Sequence, residues 1–75
     1  MSEQTRAALK LFGINVTKLE KAVERLEKEP DKRSVENYVA TSKQVNDSLA
    51  ELLGIILRLH ERGVSALVKT LSEKS

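Results

Sequence analysis

The chain has no cysteine and no tryptophan, and its 75 residues include one proline, one histidine, one phenylalanine and one tyrosine. Without cysteine there is no disulfide, no thiol nucleophile and no thiolate-held zinc or iron–sulfur cluster. The single histidine, His60, precedes Glu61 and has Leu57 three residues before it. It therefore fits neither the two-histidine zinc helix of metalloproteases nor the Glu-x-x-His pattern of metal sites in helical bundles. The carboxylate pairs Glu20/Glu24 and Asp47/Glu51 are four residues apart, the spacing of solvated helix faces. Serine is plentiful, but nucleophilic catalysis needs a serine, a base and a carboxylate converging in a pocket, and so short a chain offers little room for one. The expectation is a protein that is not an enzyme, with no catalytic, cofactor-binding or metal-binding residue.

Charge of one sign is also scarce. Thirteen Lys and Arg stand against eleven Asp and Glu, a net charge of +2, without the excess that marks a dedicated nucleic-acid binder. Lys28, Lys32 and Arg33 surround the proline, and Arg58 and Arg62 lie one turn apart, but Glu27, Glu29, Asp31 and Glu61 are interleaved with them. With Phe12 and Tyr38 the only aromatic side chains, a base-stacking surface is missing, which argues against direct nucleic-acid binding. Long apolar runs are absent too: the longest, residues 49–59, is interrupted by Glu51 and Arg58 and is too short to span a bilayer. Glu3, Arg6 and Lys10 fall where a signal peptide needs an unbroken apolar core. A cytoplasmic protein without a membrane span is expected.

What the chain does contain is helical periodicity. Leu9, Phe12, Val16, Leu19, Val23 and Leu26 recur at alternating spacings of three and four, the pattern of a helix seam. Pro30 then removes a helix donor and disfavours helix at the residue before it. Beyond it Val35, Tyr38, Ser42, Val45, Leu49, Leu52, Ile56 and Leu59 resume the same spacing, with Ser34 read as the N-cap. Gly63 followed by Val64 and Ser65 reads as a helix stop and restart, the competing reading being a second helix that continues through Gly63 to about residue 72 at a cost of ~1 kcal/mol for the glycine. The expected elements, in one domain covering 1–75, are a first helix at about 3–29, a turn at 30–33, a second helix at about 34–62 and a tail helix at about 65–73.

Two matched helices joined by a short turn make an antiparallel hairpin. Facing residues should then have numbers adding to 63 or 64, which sets Asn15 against Ser48, and Thr17 against Asn46, as a polar layer across the apolar seam. The same arithmetic puts Gly13 and Gly54 where the two backbones approach. Apolar residues also lie off the seam, at Leu53, Ile55 and Leu57 on one helix and at Ala8, Leu11, Ile14 and Ala22 on the other. A helix apolar over more than one stripe touches more than one neighbour, so the hairpin is expected to dimerise into a four-helix bundle. The core and dimer seam would comprise Leu9, Phe12, Val16, Leu19, Val23, Leu26, Tyr38, Val45, Leu49, Leu52, Leu53, Ile56 and Leu59.

The layout resembles Rop-type hairpin dimers. The stretch from Leu26 through Glu29, Pro30 and Asp31 to Val35 and Tyr38 is similar to the turn of type III secretion needle subunits, which have a proline-containing turn followed by a helix with an early tyrosine. The Trp-Ser-Gly start of that family is missing, and neither resemblance assigns a family.

The functional expectation is a helical interaction module, an adaptor, scaffold or regulator, that binds itself and another protein. A nucleic-acid-associated regulator and a secretion-apparatus subunit or chaperone are the alternatives. Val64, Leu67, Val68 and Leu71 form an apolar stripe with no counterpart in the first helix. This tail would fold back over the bundle end, pair with the tail of a second copy, dock another protein, or project beyond the bundle as a continuation of the second helix.

Overall fold

Ser2 opens the first helix. Its backbone is extended and its hydroxyl accepts the Thr5 N–H at 3.1 Å, satisfying one of the free donors of a helix start. The computed structural model describes residues 1–74 and forms them into two helices, α1 (Glu3–Lys28) and α2 (Lys32–Lys74). Glu3 in the first turn of α1, and Arg25 and Lys28 in its last, match the sign of the helix dipole at each end. Among the described residues there is no strand.

Pro30 ends α1 as its chemistry requires. Glu29 leaves helical geometry at φ −133°, ψ 76°, while its N–H still reaches the Arg25 carbonyl at 2.7 Å. The Asp31 N–H donates to the Glu29 carbonyl at 2.8 Å, and the Asp31 carboxylate accepts the Ser34 N–H at 2.8 Å. The cap of α2 is therefore Asp31 and not Ser34, and the turn is residues 29–31 instead of 30–33. An aspartate at the N-cap reaches the amide three residues on as well as a serine would, and Lys32 and Arg33 become the first helical residues. Ser34 instead sits buried in the first turn of α2.

A second difference concerns Gly63. Helix α2 runs through it without interruption, so the stop at 62 and the separate tail helix at 65–73 merge into one 43-residue element. A glycine stop requires a left-handed backbone, and no glycine here has positive φ. The flanking Leu59, Glu61, Arg62, Ala66 and Leu67 are good helix formers that offset the ~1 kcal/mol cost of one glycine. At 1.5 Å per residue α2 is about 65 Å long, and the molecule measures 65 × 19 × 14 Å.

The contact between the helices repeats every seven residues. On α1 it uses Ala8, Asn15 and Ala22, and on α2 Ser34, Thr41, Ser48 and Ile55, all buried. Asn15 and Ser48 are hydrogen-bonded, fixing a pairing in which facing numbers add to 63. Ala8 then falls opposite Ile55, with which it shares a small cluster completed by Leu52 and Phe12, and Ala22 falls opposite Thr41. Half-buried Phe12, Leu19 and Leu26 on α1, with Tyr38 and Val45 on α2, flank this row. Small side chains hold the seam, so little apolar area is buried within one chain.

Candidate functional site

The residues expected to close the hairpin divide into two groups. Phe12, Val16, Leu19, Leu26, Tyr38 and Val45 are half-buried, and Leu52 is buried. Leu9, Val23, Leu49, Leu53, Ile56 and Leu59 stay exposed, Ile56 at 56%. The intrachain seam keeps one of its two expected positions per heptad, at Phe12, Leu19 and Leu26 with Tyr38, Val45 and Leu52, and is displaced by one residue at the other, where Ala8, Asn15 and Ala22 face α2 in place of Leu9, Val16 and Val23. On α2, Ser34, Thr41, Ser48 and Ile55 replace Val35, Ser42, Leu49 and Ile56.

This rotation has a geometric consequence. In an antiparallel pair, the residue immediately after each seam position points to the same side of the hairpin on both helices. Leu9, Val16 and Val23 from α1 thus share one side with Val35, Leu49 and Ile56 from α2. That side is an aliphatic surface running the length of the hairpin, much of it open to water. The opposite groove has a different character, with Leu11, Lys18, Gln44, Asp47 and Glu51 along it and Asn15 and Ser48 at its floor.

The start of α1 marks where the hairpin ends. Met1, Ser2, Gln4 and Thr5 line a shallow depression with Ile55, Arg58, Leu59 and Arg62. Residues 63–74 continue alone for about 18 Å beyond it. Val64, Leu67, Val68 and Leu71 on this projection are exposed, the last at 61%. The tail does not fold back over the end of the hairpin, because α2 is continuous and extended there. Its stripe is in phase with the open side of the hairpin: Leu71 follows Leu53 and Val35 at intervals of eighteen residues, and Leu67 follows Leu49 by the same interval, which is five full helical turns.

The polar layer is narrower than the pairing arithmetic suggested. Asn15 and Ser48 meet in the seam. Thr17 instead donates to the Gly13 carbonyl of its own helix at 3.1 Å, and Asn46 is exposed. The glycines do not mark close approach either: a Cβ added at Gly13 would meet nothing within 4 Å, and at Gly54 only the end of the flexible Arg58 side chain at 3.6 Å.

Charged groups are arranged simply. Lys32–Glu36 and Lys43–Asp47 are exposed pairs on α2 at 4.0 and 3.7 Å. The Asp31 carboxyl is held below the usual carboxylate range, first by the Ser34 backbone N–H that it accepts. Lys18, Lys21 and Arg25 border a second groove together with Asn37 and Thr41, without an acidic neighbour in its lining. His60 is exposed on α2, and among the described residues no three His, Asp or Glu side chains converge to hold a metal ion. Among the same residues no helix is long and apolar enough to cross a membrane.

No protein-family model, curated protein or solved structure matches this chain. The functional reading rests on the surface itself: an aliphatic side of the hairpin, and a projecting helix whose apolar stripe continues it.

Proposed function

We propose that this chain is a non-enzymatic helical interaction module, a small adaptor, scaffold or regulator, working as a homodimer in which two hairpins close into a four-helix bundle. Exposed area carries the reading. The chain leaves 6139 Å² accessible, whereas a folded monomer of 8.4 kDa exposes about 4,600 Å², so the excess is roughly 1,500 Å². A standard protein–protein interface removes about 800 Å² per partner, and obligate dimers remove more. Part of the excess lies together on one side in Leu9, Val23, Val35, Leu49, Leu53 and Ile56, where a second copy would bury it; Leu11 and Ile14 on the other side of the hairpin and the tail residues Val64, Leu67, Val68 and Leu71 hold more of it.

Sedimentation at micromolar concentration tests this, with an expected mass of twice 8.4 kDa. Ile56→Asp, which costs a single hairpin little because the site is exposed, should give the monomer and reduce helicity. A wild-type monomer with full helicity overturns the reading.

One observation supports a second reading, a nucleic-acid-associated regulator. Lys18, Lys21, Arg25 and Lys28 succeed one another at spacings of three, four and three on the side away from the aliphatic surface. Binding to duplex RNA or DNA that weakens steeply as salt rises from 50 to 200 mM would support it. No binding at low salt removes it.

A further inference from the structure

We propose that the half of the hairpin nearest the turn, on the side opposite the aliphatic surface, grips the phosphate backbone of a nucleic-acid duplex in a groove whose one wall is the cation row of α1 and whose other wall is Arg33 and Asn37 of α2. This rests on the nucleic-acid reading above and goes further: it assigns the site, gives it two walls, confines it to one half of the hairpin and limits the contact to phosphates.

Four cations succeed one another on α1, at Lys18, Lys21, Arg25 and Lys28. Among the described residues the ion pairs are Lys32–Glu36 and Lys43–Asp47, so none of the four is paired with a carboxylate. Like charges three and four residues apart weaken a helix, and here no ion pair offsets that cost. Arg25 carries a second sign of an absent partner. Its Nε is buried without a hydrogen-bond acceptor, and the Asp31 carboxylate, which feels the Arg25 charge, is engaged by the Ser34 N–H instead. A buried donor without an acceptor is costly, and an oxyanion in the groove would satisfy it.

The second wall comes from α2. Ala22 and Thr41, both buried, meet at the floor of a depression of about 300 Å³, bordered by Lys18, Lys21 and Arg25 on one helix and Asn37 on the other. No carboxylate lines it. Arg33 directly precedes the seam residue Ser34 as Lys21 precedes Ala22, which puts both on this side of the hairpin. Toward the turn, Lys28 lines the adjoining depression, where Glu24 and Glu29 also lie. Away from the turn the groove changes sign, with Asp47 and Glu51 facing the single cation Lys18. A polyanion is therefore held along about 15 Å, from Lys18 to Lys28, and repelled beyond it.

The lining also selects the ligand class. It has no apolar side chain larger than alanine, so a peptide finds no pocket for an anchoring residue. Binding by charge alone needs the charge density of a phosphate backbone. Single strands are held largely by stacking bases on aromatic rings, and Phe12 and Tyr38 are half-buried in the seam, outside this groove. A duplex stacks its own bases and asks only for cations and donors at its phosphates. In the dimer each groove faces outward, because it lies opposite the aliphatic side.

A fluorescent DNA duplex of arbitrary sequence, titrated with the full chain, tests this, with one of its strands alone as a second probe. With about four phosphates neutralised, affinity should fall about 100-fold between 50 and 200 mM salt. Lys18→Gln/Lys21→Gln, at two exposed positions, should flatten the logarithmic salt slope by about two. Asn37→Glu and Asn46→Glu alter the net charge equally, at exposed positions of the same helix. Only the first puts a carboxylate in the groove; it should weaken binding about tenfold or more, and the second less than about threefold. Circular dichroism and sedimentation of the same samples separate a binding loss from a folding loss. Equal losses for the two glutamate variants, or an unchanged slope for the lysine variant, overturn the groove and leave the nucleic-acid reading in place. Tighter binding of the single strand overturns the duplex assignment. A wild-type chain that binds no duplex at about 50 mM salt overturns that reading and this proposal together.

Discussion

Asn15 and Ser48 form the one hydrogen bond between side chains that crosses from α1 to α2 among the described residues: the Asn15 amide donates to the Ser48 hydroxyl at 2.5 Å. The Ser48 hydroxyl in turn donates to the Gln44 carbonyl at 2.9 Å, so the serine is satisfied as donor and as acceptor. The dependence is one-sided. Removing Asn15 leaves Ser48 bonded to its own helix. Removing Ser48 leaves a buried amide with only the Gln44 carbonyl, at 3.4 Å, in reach.

Ser48→Ala should therefore destabilise the fold by about 1–3 kcal/mol, the range for orphaning a buried polar group. The double variant Asn15→Ala/Ser48→Ala should lose less than the sum of the two single changes, because the orphan goes with its partner. Thermal melts of the four proteins give the coupling. Strict additivity would mean that the two side chains do not meet in solution.

Ala22 and Val23 test the rotated seam. Ala22 is 1% exposed and falls opposite Thr41, whereas Val23 lies on the open side. Ala22→Leu should cost about 1–3 kcal/mol by overpacking, despite the good helix propensity of leucine. In the Ile56→Asp background, Val23→Ala should change the melting free energy by less than about 1 kcal/mol, since no second copy covers it there. The reverse ranking would put the seam back on Leu9, Val16 and Val23.

These two positions also show what was legible in the sequence. The helix–turn–helix layout was readable, because Pro30 and two runs of three-four spacing leave little else for the chain to do. The pairing number was readable as well, from the length of the turn. The rotation was not, because large aliphatic residues dominate a periodicity reading, and here they mark the side turned away from the neighbouring helix. A weaker signal ran beside them, the seven-residue repeats Ala8, Asn15, Ala22 and Ser34, Thr41, Ser48. Small residues at a constant heptad position let two backbones draw together, a pattern that hydrophobicity alone ranks low. The cap was misassigned for a related reason: Asp31 and Ser34 are both good caps, and only the geometry after Pro30 decides between them.

Asp31 gives a pH-dependent prediction. Its carboxyl is held below the usual range, chiefly by the Ser34 N–H. The unfolded chain therefore binds a proton more readily than the folded one, and stability falls as pH falls. The contribution is full above the ordinary aspartate value near ~4 and is lost as pH drops through the lower folded value. Asp31→Asn keeps a capping oxygen without the titration, so its melting temperature should vary less below pH ~4 than that of the wild type. Equal slopes for the two proteins in that window would show that the Asp31–Ser34 contact is absent in solution.

Gly63 decides whether the projecting end is one helix with the rest of α2. Its backbone is helical and a Cβ placed there meets nothing within 4 Å, so alanine fits without displacing an atom. Gly63→Ala should then stabilise the local helix by about 0.5–1 kcal/mol, through the lower entropy alanine has to lose. The effect should be confined to the neighbourhood of the change: amide protection should rise across residues 60–71 and stay level across residues 34–52, whose protection is set by the hairpin. Gly63→Pro has the opposite sign. It removes the donor to Leu59 and clashes with the preceding turn, at about 3 kcal/mol or more, and should free the tail while leaving the Asn15–Ser48 layer intact. If alanine at 63 lowers helicity or leaves tail protection unchanged, the helix breaks at Gly63 in solution, and the apolar stripe beyond it belongs to a separate, independently oriented segment.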